Sequence, residues 1–297
     1  MRPLAVGVVT YNSAAVLPGL LDSLPAALAG VPSWRLVVAD NASGDGSADL
    51  VRGRAPDALV RPMDGNLGYA AGVNAVAAAM PDADLLVLNP DIRLRPGSVS
   101  RLRGALGTPG VGIAVPRLAG PDGALALSLR RAPTVLRAFG ESVLGGRRAA
   151  RFAALGEVVG DRSAYDGPAV ADWASGAAML VSRDCLAAVG PWDESFFLYS
   201  EETDFALRAR DAGYALRLVP GAEAVHLGGE SHLSPALWSL LVSNKVRLYA
   251  RRHGRGRAGS FWAALALGEA LRSVRPSATH RAALRTLVAD RRRLLEG

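Results

Sequence analysis

Short apolar runs alternate with helix-like segments along the first ninety residues. Leu4 to Val9, Leu36 to Ala39 and Leu85 to Leu88 have the length and composition of buried strands. Between the first two runs, the stretch from Ala14 to Leu28 repeats its apolar residues at helical spacing. A further helix, begun by the Gly-rich segment 66–72, is expected to run to about Met80. This alternation predicts an α/β fold built on a mostly parallel sheet.

The pattern beyond residue 110 is less regular, and it is weakest over residues 117–170. Ser47 is expected to cap a helix through Arg52, and Gly213 to end a helix over Thr203 to Ala212. From Ser234 onward the spacing predicts a basic, amphipathic helical region. Four later runs are predicted to be strands: Val111 to Pro116, Ala177 to Ser182, Leu216 to Val219 and Glu223 to His226.

Charge separates the chain into two parts. The 297 residues carry a net charge of +7, but the last 53 contain 13 basic and 3 acidic side chains. Such a tail favours a polyanionic neighbour, either an anionic membrane face or a nucleic acid. No apolar run approaches the roughly 20 residues of a membrane span, and the N-terminus does not resemble a secretory signal. A cytoplasmic protein is therefore expected.

Several carboxylates and one histidine stand where a metal-assisted reaction would need them. Asp91 follows the apolar run ending at Leu88, and in open α/β sheets the ligand crevice lies just beyond such strand ends. Glu201, Glu202 and Asp204 crowd the predicted start of a helix, and His226 ends a short apolar segment. These residue types can bind a divalent ion and move a proton.

Six blocks, read in order from residue 4 to 232, resemble family 2 inverting glycosyltransferases of the GT-A fold, in particular the bacterial rhamnosyltransferase-like branch. Several blocks in the same order are more specific than any one of them. The blocks are Val8-Val9-Thr10-Tyr11-Asn12, Asp40-Asn41-Ala42-Ser43, residues 66–74, Leu88-Asn89-Pro90-Asp91, residues 190–204, and His226-Leu227-Gly228-Gly229-Glu230-Ser231.

The resemblance implies a nucleotide-diphosphate sugar as donor, linked to dTDP or UDP. Asp40 would accept the ring hydrogen of a pyrimidine, and Gly68 and Gly72 would let the backbone approach the nucleotide closely, although tight helix packing explains such glycines equally well. The donor-binding residues implied by the matching blocks are Thr10, Tyr11, Asn12, Asp40, Asn41, Asn66, Gly68, Gly72, Asn74, Asn89 and Asp91.

Asp91 matches the last carboxylate of the family's Asp-x-Asp metal motif, whereas Asn89 replaces the first. The implied metal set is then Asp91, His226, the donor diphosphate and water, with Mn²⁺ or Mg²⁺ as the ion. Glu202 matches the base that takes the proton of the acceptor hydroxyl, and Glu201 and Asp204 would bind the acceptor or orient the site. The choice between Glu201 and Glu202 stays open, since acidic residues are also favoured in any first helical turn.

Four aromatic residues before the acidic cluster have two interpretations. Trp192, Phe196, Phe197 and Tyr199 could form a wall on which a sugar stacks, or they could simply pack in the core.

The resemblance implies a GT-A domain over residues 1–232 and a basic helical region over 233–297. The expected function is inverting transfer of a sugar, such as rhamnose, to a cell-surface glycan or polyprenyl-linked saccharide. The tail would hold the enzyme peripherally at the inner face of the membrane, with no nucleic-acid partner; a homo-oligomer stays open.

Other classes fit the residues less well. A dinucleotide-dependent oxidoreductase fails because Gly44-Asp45-Gly46 does not follow the first strand and lacks the third glycine. A P-loop hydrolase fails because Lys245, the only lysine, does not follow a glycine. The remaining alternative is a non-catalytic membrane-surface or nucleic-acid-binding protein on an inactive transferase scaffold.

Overall fold

A computed structural model describes residues 2–228, 234–274 and 277–297. The described residues form two compact units. The first contains those of 1–128, 163–197 and 201–228, and the second those of 129–162, 198–200 and 229–297. The expected division between residues 232 and 233 stays a prediction, since both residues lie outside the described ranges. In the structure, residues 129–162 group with the C-terminal helices.

The strands are numbered in chain order: β1 Leu4–Thr10, β2 Trp34–Asp40, β3 Leu59–Pro62, β4 Asp84–Leu88, β5 Ile92–Leu94, β6 Val111–Ala119, β7 Leu129–Arg130, β8 Ala169–Ala171, β9 Trp173–Ala174, β10 Ala178–Val181 and β11 Ala215–His226.

The α-helices are α1 Leu17–Ala27, α2 Ser47–Arg54, α3 Tyr69–Ala79, α4 Ser98–Leu106, α5 Val135–Leu144, α6 Gly146–Ala149, α7 Arg183–Val189, α8 Glu201–Asp211, α9 Pro235–Ser273, α10 Ala278–Ala289 and α11 Arg291–Glu296.

Within the described residues, the first unit is built on a nine-stranded mixed sheet. Its order is β3-β2-β1-β4-β10-β6-β11-β5, with β8 paired to β11. Six of these strands run in one direction, while β5, β8 and β10 run against them. The predicted α/β class and mostly parallel sheet are confirmed.

The apolar runs form strands because both faces of the central sheet are covered. Every residue of β1 and of β4 is buried. Val6, Val8, Leu86 and Leu88 pack with Leu20 and other apolar residues of α1 in one core. Continuous apolar strands of this kind are typical of sheets with helices on both faces.

Two local predictions need correction, and two elements were not predicted. Ser47 is the first residue of α2 rather than its cap, because the N-cap position is Gly46 at φ 83°. Leu216 to Val219 and Glu223 to His226 are one strand, since the Pro220-Gly221 segment is accommodated as an irregularity in the pairing of β11 with β6. Strand β5 and helix α4 had no counterpart in the predicted pattern.

The second unit is helical. In α9, Gly254 adopts φ 75° and ψ 167°, so the backbone breaks there between two helical halves. Tyr249, Phe261 and Ala264 of α9 form a buried cluster with Ala138 of α5. Among the described residues, no helix is both long enough and apolar enough to span a bilayer.

The packing of α3 on β1 yields a prediction about Gly72. A Cβ at this position would lie 2.5 Å from Cγ1 of Val9, inside van der Waals contact. Alanine improves helix propensity by about 1 kcal/mol, but overpacking a core costs about 1–3 kcal/mol. We expect Gly72→Ala to lower the free energy of unfolding by about 1 kcal/mol in denaturant titration.

Gly53→Ala is the matched control, because a Cβ at Gly53 of α2 would meet nothing within 4 Å. This variant should be neutral or more stable by up to about 1 kcal/mol. Equal effects of the two substitutions would contradict the steric argument.

Candidate functional site

The carboxyl ends of three parallel strands meet at one edge of the sheet. Thr10 at the end of β1 pairs with Asp40 at the end of β2, and Val8 of β1 pairs with Leu88 at the end of β4. The segments that follow these strands therefore begin side by side, where open α/β sheets form their ligand crevice.

Asp40 is held at this edge by internal hydrogen bonds. The hydroxyls of Thr10 and Ser43 donate to its Oδ1 at 2.7 and 2.6 Å, and the backbone N–H of Ser43 donates to Oδ2 at 3.0 Å. Asp40 is buried, with only 4% of its surface exposed. Its orientation is thus fixed by the protein, and the pyrimidine contact assigned to it stays a prediction.

The two segments after β1 and β2 are tied together. Asn12, at φ 50°, accepts a hydrogen bond from Gly44 N–H through Oδ1 at 2.9 Å, and its own N–H donates to Ser43 Oγ at 2.9 Å. Tyr11 is 53% exposed beside this link, so its ring is available to a ligand. The amide of Asn41 is buried and donates to the carbonyl of Gly68 at 3.0 Å.

The glycines of the 66–74 block pack against protein. Gly68, at φ 92°, has no room for a Cβ because the carbonyl of Phe197 occupies that position, and Asn66 Oδ1 accepts from its N–H at 3.3 Å. Asn74 forms a reciprocal pair with the backbone of Trp192, each bond 2.9 Å. These contacts explain Gly68, Gly72 and Asn74 as packing residues, and their predicted contacts with the donor stay predictions.

Asp91 and His226 are brought together by the pairing of β5 with β11. His226 lies opposite Ile92 in that antiparallel register, and the carbonyl of Asp91 accepts from Leu227 N–H at 3.2 Å. The Nε2 atom of His226 is then 3.2 Å from Oδ2 of Asp91. Gly229, Glu230 and Ser231 of the same block lie outside the described residues.

This pair suits adjacent positions around one divalent ion. Two ligands at about 2.1 Å from a metal and at right angles are about 3 Å apart, close to the observed separation. No cluster of three or more His, Cys, Asp or Glu side chains able to hold a metal occurs in the described part of the chain. An ion here would therefore need oxygens from a ligand or water, as the sequence analysis expects.

The three acids of α8 occupy different environments. Asp204 accepts from Arg208 Nε at 2.6 Å, and that arginine also donates to the carbonyls of Val189 and Pro191. Through this arginine Asp204 helps to hold the loop before the acids, and its predicted role in binding the acceptor or orienting the site stays a prediction. Glu201 is buried with 3% exposure, whereas Glu202 is only half-buried and packs along Gly176.

Tyr69, the first residue of α3, is a member of the site that the sequence pattern does not reveal. Its hydroxyl donates to Asn89 Oδ1 at 2.9 Å. Burial, followed by the negative charges of Glu201, Glu202 and Asp91, raises the pKa of Tyr69 well above its ordinary value. The same hydroxyl lies 3.4 Å from the carbonyl of Gly176, against which Glu202 packs, so Tyr69 contacts both the segment before Asp91 and the surroundings of Glu202.

The aromatic residues divide in a way that corrects one interpretation. Trp192 and Phe196 are 2% and 0% exposed, and Trp192 stacks on Phe205 with ring centroids 5.0 Å apart. They belong to the core and cannot form a wall for a sugar. Phe197 is 41% exposed and keeps that role open.

The turn before α8 is unusual. Tyr199 and Ser200 both have positive φ, 68° and 77°, a conformation that costs energy for residues other than glycine. Within the second unit, the buried amide of Asn244 donates to the carbonyls of Leu198 and Tyr199 at 2.9 and 3.1 Å. These bonds hold the backbone immediately ahead of Glu201.

Comparison with known families and structures agrees with this geometry. A model of glycosyl transferase family 2 matches residues 5–148, and one of glycosyl transferase family group 2 matches residues 144–238. Mannosyltransferase PcManGT from Pyrobaculum calidifontis, solved with GDP-Man and Mn²⁺, superposes with a TM-score of 0.59 at 17% identity over 97% of this chain and 80% of its own. A structure of S. aureus TarS 1-349 with UDP gives 0.55 at 14% identity over 99% and 90%. These likenesses confirm the GT-A-like fold.

Relatives identified by sequence give a more specific assignment than the structural likenesses. The N-acetylglucosaminyl-diphospho-decaprenol L-rhamnosyltransferase of Mycobacterium tuberculosis H37Rv is 31% identical over 245 residues, which is 75% of each chain. Rhamnosyltransferase WbbL of Escherichia coli K12 is 39% identical over 57 residues, 19% of this chain and 22% of that one. These matches favour an enzyme over the non-catalytic alternative. The chain therefore belongs to glycosyl transferase family 2, as a rhamnosyltransferase-like glycosyltransferase.

Proposed function

We propose that this enzyme transfers rhamnose from a nucleotide-diphosphate donor to a saccharide on a polyprenyl carrier, with inversion at the sugar carbon. The observation that carries the proposal is the pairing of Asp91 with His226, 3.2 Å apart, at the carboxyl edge of the sheet. The hydroxyl of Tyr69 connects this edge to the acids of α8, because it contacts Asn89 at 2.9 Å and the carbonyl of Gly176, against which Glu202 packs, at 3.4 Å. The donor and acceptor classes follow from the relative that is 31% identical over 75% of this chain. The acceptor would place the enzyme peripherally at the inner face of the membrane.

Donor binding is assigned to the edge formed by β1, β2 and β4. Asp40, fixed by Thr10 and Ser43, presents its carboxylate toward the pyrimidine of a dTDP or UDP donor. Tyr11 supplies an exposed ring beside it. Asp91 and His226 would hold Mn²⁺ or Mg²⁺, which supplies charge neutralisation for the departing diphosphate.

Glu202 is the best-placed base. Asp204 is engaged by Arg208, and Glu201 is almost fully buried, so Glu202 is the most accessible acid of the three. As the acceptor oxygen forms its bond to the sugar carbon, its proton passes to the carboxylate of Glu202 and the bond to the diphosphate breaks. Direct displacement of this kind inverts the configuration at that carbon.

Removing the base should stop transfer and spare donor binding. We expect Glu202→Gln to lower kcat by about 10²–10⁴-fold, because the amide cannot accept the proton. Stabilisation by the donor in a thermal-shift assay should stay near that of the wild type. Glu194→Gln, at an exposed acid bonded to Asn74, is the control for loss of one charge. Full transfer activity in Glu202→Gln would remove the assignment, and loss in Glu201→Gln alone would move it to that residue.

Metal binding should depend on Asp91. In thermal-shift assays with Mn²⁺ and a panel of dTDP-, UDP- and GDP-linked sugars, dTDP-rhamnose at 100 times its dissociation constant should stabilise the wild type by about 2.7 kcal/mol. Asp91→Asn should lose the part of this stabilisation that requires Mn²⁺. Asp49→Asn, which alters an exposed carboxylate paired with Arg52, serves as the control. Stabilisation by another sugar nucleotide alone would refute rhamnose as the donor sugar.

The raised pKa of Tyr69 predicts a pH dependence of stability. The unfolded phenol ionises near pH 10 while the folded one stays protonated, so the contribution of Tyr69 is complete below that pH and is lost as the pH rises. Tyr69→Phe should be about 1 kcal/mol less stable than wild type at pH 8, through loss of the bond to Asn89. The difference should shrink above pH 10 in denaturant titrations, and a constant difference would contradict the argument.

A further inference from the structure

One face of α5 is apolar and exposed. Leu136, Phe139 and Val143, here called the apolar row, are 56%, 37% and 63% exposed. Their spacing of three and four residues places them on one side of the helix. Large apolar side chains grouped on a surface, rather than scattered singly, mark an interaction site.

The opposite face of α5 is firmly anchored within the second unit. Ser142 Oγ donates to the carbonyl of Ala264 in α9 at 2.7 Å, and Arg272 donates to the carbonyl of Glu141 at 3.0 Å. Ala138 is buried among the aromatic residues of α9. Because the opposite face of α5 is anchored, the helix cannot rotate to bury the apolar row.

A cluster of positive charge follows the apolar row directly. Arg147, Arg148 and Arg151, here called the arginine cluster, are exposed and, together with Leu144, Gly145 and Gly146, line a surface recess of about 560 Å³. Phe152, next in sequence, is 56% exposed. No acidic residue occurs between 142 and 156, and Glu141 accepts a hydrogen bond from the backbone N–H of Glu157.

We propose that residues 135–152 form the surface by which this enzyme binds an anionic lipid bilayer. The apolar row and Phe152 would enter the boundary between headgroups and acyl chains, and the arginine cluster would bind lipid phosphates. A nucleic acid would match the arginines but not the apolar row. The proposal rests on the proposed lipid-linked acceptor for its purpose, and it moves membrane contact from the basic tail to α5 and α6.

Sedimentation with lipid vesicles tests the proposal on the full chain without any sugar donor. Wild type should bind vesicles of phosphatidylcholine mixed with an equal part of phosphatidylglycerol. Changing Arg147, Arg148 and Arg151 together to Gln should weaken that binding on the order of 100-fold, about fivefold for each arginine. Changing Leu136, Phe139 and Val143 together to Gln should weaken binding to mixed and to pure phosphatidylcholine vesicles alike.

A control variant in the C-terminal tail distinguishes the effect of where the arginines lie from the effect of the net charge removed. Arg281, Arg285 and Arg293 are exposed residues of α10 and α11, and changing all three to Gln removes the same charge as the cluster variant. This control should retain binding to the mixed vesicles within a few fold. Equal losses in the control and the cluster variant would overturn the proposal, as would wild-type binding in both α5 variants.

Two further readouts keep the result unambiguous. Melting temperatures of the variants should match wild type, because all six substituted side chains are exposed. Sedimentation velocity would reveal whether the apolar row instead joins two copies of the chain; a dimer that dissociates on changing the row, with no vesicle binding by wild type, would overturn the proposal. Transfer of the sugar to a detergent-dispersed acceptor does not require vesicle binding. This assay therefore tests the proposed function separately from the membrane-binding proposal.

Discussion

The antiparallel register of β5 with β11 is the constraint on which the candidate site depends, because it sets His226 beside Asp91. The register is maintained from outside the pair. Arg95 N–H donates to the carbonyl of Glu223, and the buried hydroxyl of Ser98 both donates to that carbonyl and accepts from the N–H of the same residue. These bonds brace β11 just where its pairing with β6 is irregular. A one-residue slip would turn the imidazole to the other face of the sheet.

The polar residues of the site divide into those that shape it and those left to act. Asn74 bonds the backbone of Trp192, Asp204 accepts from Arg208, and the amide nitrogen of Asn41 donates to the carbonyl of Gly68, so these side chains hold loops in place. Tyr11 and Glu202 keep part of their surface open. We therefore expect the proposed chemistry to depend on few side chains, each oriented by neighbours that also stabilise the fold.

Elements with long apolar runs were predictable. Strands β1 and β4 are buried on both faces, so a continuous apolar run in the sequence is enough to identify them. β5 was missed because three residues give too short a pattern, and its existence depends on pairing with a strand some 130 residues later. The sequence predicts two strands on either side of Pro220-Gly221 for a related reason, because it does not reveal that the neighbouring β6 pairs with both of them. The acids and Asp91 were recognisable as candidates, but the role of Tyr69 emerges only from tertiary contacts. For the aromatic residues before α8, the sequence allowed either a sugar-stacking wall or core packing, and the structure places Trp192 and Phe196 in the core.

The path of the chain through residues 198–200 has a practical meaning for anyone dissecting this enzyme. These three residues belong to the C-terminal unit, although the residues on both sides of them belong to the sheet unit. Their carbonyls are held by Asn244 in α9, in a turn that the backbone would not choose unaided. A shortened expression product ending before α9 would keep residues 198–200 but lose the amide that holds their carbonyls. Residues 198–200 and the C-terminal helices thus belong to one compact unit, and a domain boundary drawn at a single position in the sequence would divide that unit.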